Sequence, residues 1–229
     1  RSFYQDACHG HAIVYADEIS NRKTRPYITY PQGNFASPVF HGERPDPMPH
    51  YEMTGNPVSI AFSEQSPPVK MRSFKLYQDT KEIKDVKILD KDNDPNRLLT
   101  ERQFALFPLQ PLEYDTNYRA VFEYRQNGKD RTAEWTFSTQ KPDYPYFIVK
   151  GGETLAIESG QKYFIHWQDF WCLKQCERYN YRMNRDTQLD IIERQAGGII
   201  IRVNGSKGSS IRLMPEGEDR RAITLYLWK

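Results

Sequence analysis

The groups in this 229-residue chain that could do chemistry are three cysteines, five histidines, one acidic run and one aromatic cluster. Cys172-Leu173-Lys174-Gln175-Cys176 sets two thiols four residues apart, with Cys8 far away in sequence. Zinc wants four ligands, and no paired C-x-x-C or H-x-x-x-H accompanies these thiols. In an oxidising compartment the arithmetic is one bridge and one free thiol. A Cys172–Cys176 bridge closes a tight loop and constrains the unfolded chain little, whereas a bridge from Cys8 to either partner ties the N-terminal segment to the last part of the chain. Both pairings stay open. His9-Gly10-His11 lacks a third ligand nearby, and His41 and His50 lie in proline-rich coil, so these read as surface or satisfied histidines and not as ligands.

Asp90-Lys91-Asp92-Asn93-Asp94-Pro95-Asn96 places carboxylates at alternate positions, as calcium loops do. An EF-hand also needs Gly at its sixth position and Glu at its twelfth. The twelfth position here is Glu101, but the sixth is Pro95, and a proline cannot make the sharp turn a glycine makes there. The expectation is a solvated turn between strands.

The aromatic cluster comprises Trp167, Phe170, Trp171, Tyr179 and Tyr181, with His166 and Asp169 among them. Exposed rings in a row stack on sugars, and Asp169 and Asn180 would hold hydroxyls. Alternate strand positions such as Tyr163-Ile165-Trp167 and Tyr179-Tyr181-Met183 read instead as core, with polar tips reaching the surface. Phe170 and Trp171 fall in a less regular stretch and are the rings expected to be exposed. The candidate ligand-contact set is therefore Trp167, Asp169, Phe170 and Trp171. Arg22-Lys23-Thr24-Arg25 and Arg220-Arg221 are short basic runs that read as solvated faces. With no G-x-S-x-G, P-loop, H-E-x-x-H or G-x-G-x-x-G in the chain, no catalytic, cofactor-binding or metal-ligating residue is assigned, and no enzyme activity is expected.

The elements that must hold these groups follow from periodicity. From Pro57 the chain alternates with period two: Val58, Ile60 and Phe62; Phe74 and Leu76; Val86 and Ile88; Phe104 and Leu106. The clearest runs are Tyr118-Ala120-Phe122-Tyr124 and Ala133-Trp135-Phe137, with the hairpin signal Asn127-Gly128 between them. Short strands at this spacing are the signature of a sandwich. Lys141-Pro142-Asp143-Tyr144-Pro145 is a stiff joint, after which alternation resumes and runs almost to Lys229, broken by Gly151-Gly152, Gly160, Gly197-Gly198 and Asn204-Gly205. Upstream, nine of the 15 prolines fall between Pro26 and Pro68. That stretch can sustain neither a helix nor a central strand. Tyr27, Tyr30, Phe35, Phe40 and Tyr51 punctuate it, so it reads as an extended segment laid against the folded part. Residues 10–23 could form one short helix.

Composition bounds the partners. Lys and Arg total 32 against 30 Asp and Glu, a net charge of +2 that gathers neither nucleic acid nor anionic lipid. No run approaches the roughly 18 to 20 apolar residues a membrane helix needs. The start, Arg1-Ser2-Phe3-Tyr4-Gln5-Asp6, has neither an initiator Met nor an apolar signal region, as expected of a chain processed or cut from something longer.

Two stretches carry a resemblance. The first runs from Asn56-Pro57-Val58-Ser59-Ile60-Ala61-Phe62 through Phe74-Lys75-Leu76-Tyr77, Gln103-Phe104-Ala105-Leu106-Phe107-Pro108-Leu109 and Tyr114-Asp115-Thr116-Asn117-Tyr118 to Trp135-Thr136-Phe137. It is similar to a bacterial Ig-like module. The second, Ser37-Pro38-Val39-Phe40 with Pro45-Asp46-Pro47-Met48-Pro49, resembles the region that follows the CAP domain (the cysteine-rich secretory, antigen 5, pathogenesis-related 1 superfamily) in certain bacterial envelope proteins. The resemblance covers residues 1–140 well and 141–229 in outline. It implies an exported, secreted or periplasmic protein whose CAP cleft would lie before Arg1. His9 and His11 do not match that cleft's motifs, and none of its residues is carried onto this chain.

The expectation is thus an all-β chain of two tandem Ig-like β-sandwiches, 56–140 and 141–229, preceded by an extended proline-rich segment, 1–55, that packs on them. Its expected role is a non-catalytic accessory region that spaces or presents a neighbouring domain, with a protein partner or that upstream domain as its target. The alternative is a cell-wall glycan held by the aromatics of residues 163–181.

Overall fold

The computed structural model describes residues 26–171, 178–183 and 186–229. The chain divides into two compact units on either side of the Lys141–Pro142 bond. Among the described residues, structure other than strand and turn is limited to a single 3-10 turn, Asp219–Arg221. The helix expected over 10–23 lies outside the described residues.

The first unit comprises β1 (Tyr27–Tyr30), β2 (Gly33–Ala36), β3 (Val39–Phe40), β4 (Thr54–Gly55), β5 (Val58–Phe62), β6 (Lys70–Gln78), β7 (Lys81–Glu82), β8 (Val86–Leu89), β9 (Gln103–Pro108), β10 (Asn117–Gln126) and β11 (Lys129–Thr139). One sheet has the order β1-β5-β9-β8 and the other β2-β11-β10-β6-β7. Counting β1 and β2 as two halves of strand A, these are the A-B-E-D and A-G-F-C sheets of an Ig-like sandwich. The inward alternation of Val58, Ile60 and Phe62 meets Leu76, Ala120, Phe122 and Phe137 in one core. Asn127 and Gly128 both take positive φ, 51° and 75°, as a two-residue hairpin turn with right-handed twist requires. The Tyr118 hydroxyl accepts the Glu113 backbone N–H at 2.9 Å, five residues upstream. That is the tyrosine corner that pins the start of strand F in this fold.

The proline-rich segment is more than a wrapping. Residues Tyr27–Tyr30 pair antiparallel with β5, and Gly33–Ala36 run parallel beside β11, so strand A comes from before position 56. Prolines hide this in the sequence, yet they are tolerated because both halves are edge strands. Beyond them, Phe40 and Met48 close a second core against Leu89, Leu99, Ala105 and Phe107. These lie on the outer face of the first sheet, so β9 is buried on both sides. Of the five aromatics expected to pin the segment, Phe40 packs edge-on to Phe107 and Tyr27 to Phe62, while Phe35 and Tyr51 stand out in solvent.

The second unit comprises β12 (Tyr146–Val149), β13 (Thr154–Ile157), β14 (Lys162–Trp167), β15 (Tyr179–Met183), β16 (Thr187–Gln195), β17 (Gly198–Gly205), β18 (Ser210–Pro215) and β19 (Ile223–Leu227). Its sheets, β12-β14-β17-β16 and β13-β19-β18-β15, repeat the Ig-like order. Here the first half-strand runs parallel to its neighbour: β12 lies parallel to β14, reverses, and returns as β13 parallel to β19. The reversal passes through Gly151 at φ 133°, where a Cβ would lie 2.2 Å from the Arg220 carbonyl oxygen. Only glycine fits there.

Met48 is 1% exposed in the second core. Met48→Ala should lower the unfolding free energy by about 2–5 kcal/mol, read from urea denaturation, because it leaves a cavity under a segment with few other apolar anchors. A cost within about 0.5 kcal/mol would mean that the segment lies on the sheet without holding it.

Candidate functional site

Strand β14 decides the fate of the aromatic cluster. Tyr163, Ile165 and Trp167 point inward, and Trp167 is fully buried. Its indole N–H donates to the Arg221 carbonyl at 2.8 Å, and its ring lies 5.6 Å from that of Tyr179, also a core residue. Trp167 therefore leaves the candidate contact set: period-two alternation puts it on the core side of the sheet. After Trp167 the chain turns through Asp169, at φ 56° and exposed. Arg221 clamps this turn. Its guanidinium donates to the Gln168 carbonyl at 2.9 Å and lies 4.9 Å from the Phe170 ring centroid. Phe170 is half-buried against the core. Trp171 packs 4.8 Å from the His166 ring and against Gly197, where an added Cβ would meet the indole at 2.6 Å. Phe170 and Trp171 are thus seated on the protein and not presented as a free row of rings.

His166 is completely buried, its Nδ1 2.8 Å from the Gly197 carbonyl oxygen, and serves as a packing residue. What the cluster does offer solvent is Tyr181, 48% exposed, beside Asn180. Both line a groove of about 410 Å³ with Arg178, Tyr179, Leu189, Ile191, Arg194 and Glu216, between the edge strands β15 and β16. Cys8, Cys172 and Cys176, with either bridge, and His9 and His11 lie outside the described residues.

The acidic run is a turn whose oxygens are spent on the backbone. The Asp94 carboxylate, 5% exposed, accepts the N–H groups of Asn96, Leu98 and Leu99 at 3.0, 2.7 and 3.0 Å. Asp90 accepts from Asp92 and Asn93, while Asp92 pairs with Lys91 at 2.6 Å. Among the described residues, no group of three or more His, Cys, Asp or Glu side chains is placed to hold a metal ion.

A second, larger groove of about 550 Å³ lies on the first unit. Gly33, Asn34, Asp79, Asn117, Tyr118, Arg119, Thr136, Phe137 and Ser138 line it. Cross-strand register sets Asn117 opposite Ser138 and Arg119 opposite Thr136 on the outer face of the β2-β11-β10-β6-β7 sheet. The stacked rings of Tyr118 and Phe137 lie in the core beneath them. Sequence reasoning missed this site. Outward polar residues on an alternating strand carry no signal that separates a binding row from an ordinary wet face.

No family model matches the chain, and none of the curated proteins does. Among solved structures it is similar to a titin fragment at 10% identity over 86% of this chain and 95% of that one, with a TM-score of 0.25. It is also similar to domains 4 and 5 of the S-layer protein SbsC (13% identity, 70% of this chain, 100% of that one, TM-score 0.24). A third is a SusE-like surface-located polysaccharide-binding protein from the heparin utilisation locus of Bacteroides thetaiotaomicron (15% identity, 74% of this chain, 30% of that one, TM-score 0.24). Scores this low carry no argument, and the Ig-like assignment rests on the strand order. Among the described residues no helix is long and apolar enough to cross a membrane.

Two outcomes check these assignments. Asp94→Ala should destabilise the chain by about 1–3 kcal/mol by orphaning backbone N–H groups, and millimolar calcium should leave the thermal midpoint of the parent chain unchanged. A calcium-dependent rise that Asp94→Ala abolishes would reinstate a metal loop. The second outcome concerns Tyr179, whose phenol burial pushes up from 10.0 to about 12, against a smaller opposing pull from Arg194. Between those values the unfolded chain has already lost a proton that the folded chain keeps. Stability present below pH 10 is therefore lost as pH rises through 10 toward 12. Burial also raises the Tyr118 and Tyr124 phenols, so Tyr179→Phe should remove one proton's share of the alkaline slope measured by urea unfolding and leave the rest.

Proposed function

We propose that the chain is a non-catalytic interaction region of an exported bacterial envelope protein, in which two Ig-like sandwiches space or present a neighbouring CAP-like domain. One observation carries this reading. The segment from Tyr27 to Gly55 is fixed to the first sandwich at β1–β5, at β2–β11 and through the buried Met48. Chain entering such a segment is held by a rigid body from its first described residues, and a spacer must grip the chain it positions. A swinging tether would be rich in Gly and Ser and free of such contacts. The resemblance of Ser37-Pro38-Val39-Phe40 and Pro45-Asp46-Pro47-Met48-Pro49 to the region after a CAP domain supports the identity of that neighbour.

A second reading, glycan binding at residues 163–181, is favoured by Asn180 and Tyr181 sharing one groove. It now rests on Tyr181 and not on Trp167.

The test is made on the full-length gene product. A CAP domain encoded ahead of Arg1 is expected, and deleting residues 26–229 should leave that domain folded while its fractionation between envelope and medium changes. An initiator Met directly before Arg1, or unchanged fractionation after the deletion, would overturn the reading.

A further inference from the structure

We propose that the groove on the outer face of the first unit's β2-β11-β10-β6-β7 sheet binds a short uncharged glycan. The groove's volume, about 550 Å³, falls in the range of small-ligand sites. Its chemistry is that of a hydroxyl binder. Ser138 donates its hydroxyl to Asn117 Oδ1 at 2.5 Å, which fixes the Asn117 amide and leaves its NH2 group without a protein partner among the described residues. Asn34 and Asp79 are exposed on the same groove, and neither forms a side-chain hydrogen bond or ion pair with the described residues. Amide, carboxylate and hydroxyl groups together supply both donors and acceptors, as a polyol needs.

Charge selects among polar ligands. The lining holds one carboxylate, Asp79, and one guanidinium, Arg119, so its formal charge cancels. Arg119 is already engaged, 3.4 Å from the Glu134 carboxylate and 4.6 Å from the Tyr77 ring centroid. An anionic ligand therefore finds no free cation here, and a cationic one meets a single exposed carboxylate.

The rim supplies the apolar plane. Phe35 is 65% exposed, the most exposed large apolar side chain among the described residues. Its ring sits over Gly33, where an added Cβ would approach the ring to 2.7 Å, and Gly33 also needs its φ of 78°. The glycine thus seats the ring beside Asn34 at the edge of the groove. A pyranose presents C–H groups on one face and hydroxyls around its edge. A ring on the rim with amide and hydroxyl groups beside it matches both.

This site is distinct from the spacing role, so envelope retention and glycan binding fail independently. The experiment puts the intact chain on a broad array of neutral and charged glycans, then titrates any bound oligosaccharide while following the backbone and side-chain amides by NMR. Binding of at least one uncharged glycan is expected, with shifts at Asn34 and Asn117. Phe35→Ala and Asn117→Ala should each weaken it about tenfold, the effect of losing one well-placed contact. Both residues are exposed, so unchanged thermal midpoints will show that the variants fold. Leu98→Ala, at an exposed position that lines neither groove, should bind as the parent does. The proposal is overturned if no glycan binds, if only charged glycans bind, if Phe35→Ala and Asn117→Ala bind normally, or if Tyr181→Ala alone abolishes binding.

Discussion

Both sandwiches depend on a first strand that is shared between two sheets. In the first unit β1 bonds to β5 and β2 to β11; in the second β12 bonds to β14 and β13 to β19. A sandwich leaves two sheets with open edges, and each edge is a row of unpaired backbone groups. Splitting one strand covers an edge of each sheet and ties the two together at one corner. The crossing needs backbone that ordinary residues resist, which is why Gly33 and Gly151 sit at or beside the two crossings with φ of 78° and 133°. The remaining strands fall into place once those corners are set, since their alternation already separates core side from water side.

That separation explains how much of the fold was legible. Val58-Ile60-Phe62 and Tyr118-Ala120-Phe122 each bury one face, and for such strands period two gives both element and orientation. The Asn127–Gly128 hairpin was readable because its φ values demand those residue types. Strand A was not, because Pro26, Pro31 and Pro38 look like coil to any pattern that equates strands with uninterrupted donors. Nor was the second core: Phe104-Ala105-Leu106-Phe107 buries both faces, and a short unbroken apolar run has no period to read.

The sites were less legible than the fold for a related reason. Trp167 and Phe170 are three residues apart, yet one is wholly buried and the other lies under a guanidinium supplied by Arg221, more than fifty residues later. Aromatic clustering in sequence reports the amount of ring, while exposure depends on long-range partners that sequence spacing does not name. His166 makes the same point, since parity sends it to the outer face of β14 and it is nonetheless completely buried.

Outward rows can be ranked once the register is known. Along β10 and β11 the cross-strand pairs pass from Arg125–Asp130 and Val121–Glu134, through Arg119–Thr136, to Asn117–Ser138. The far end of the sheet carries the exposed ion pair Arg72–Asp130, and Lys75–Glu82 lies between the two ends. Pairs of that kind add little stability, but a charged row discourages strand pairing and stays hydrated. At the Asn117–Ser138 end amides and hydroxyls join one carboxylate, Asp79, and the paired Arg119, and an exposed Phe35 lies beside them. Hydration is cheapest to displace where hydrogen bonds can be exchanged one for one without stripping an ion, and an apolar ring there lowers the cost further. The same sheet is therefore protected at one end and receptive at the other, and the segment that carries Phe35 is the one that closes the sandwich.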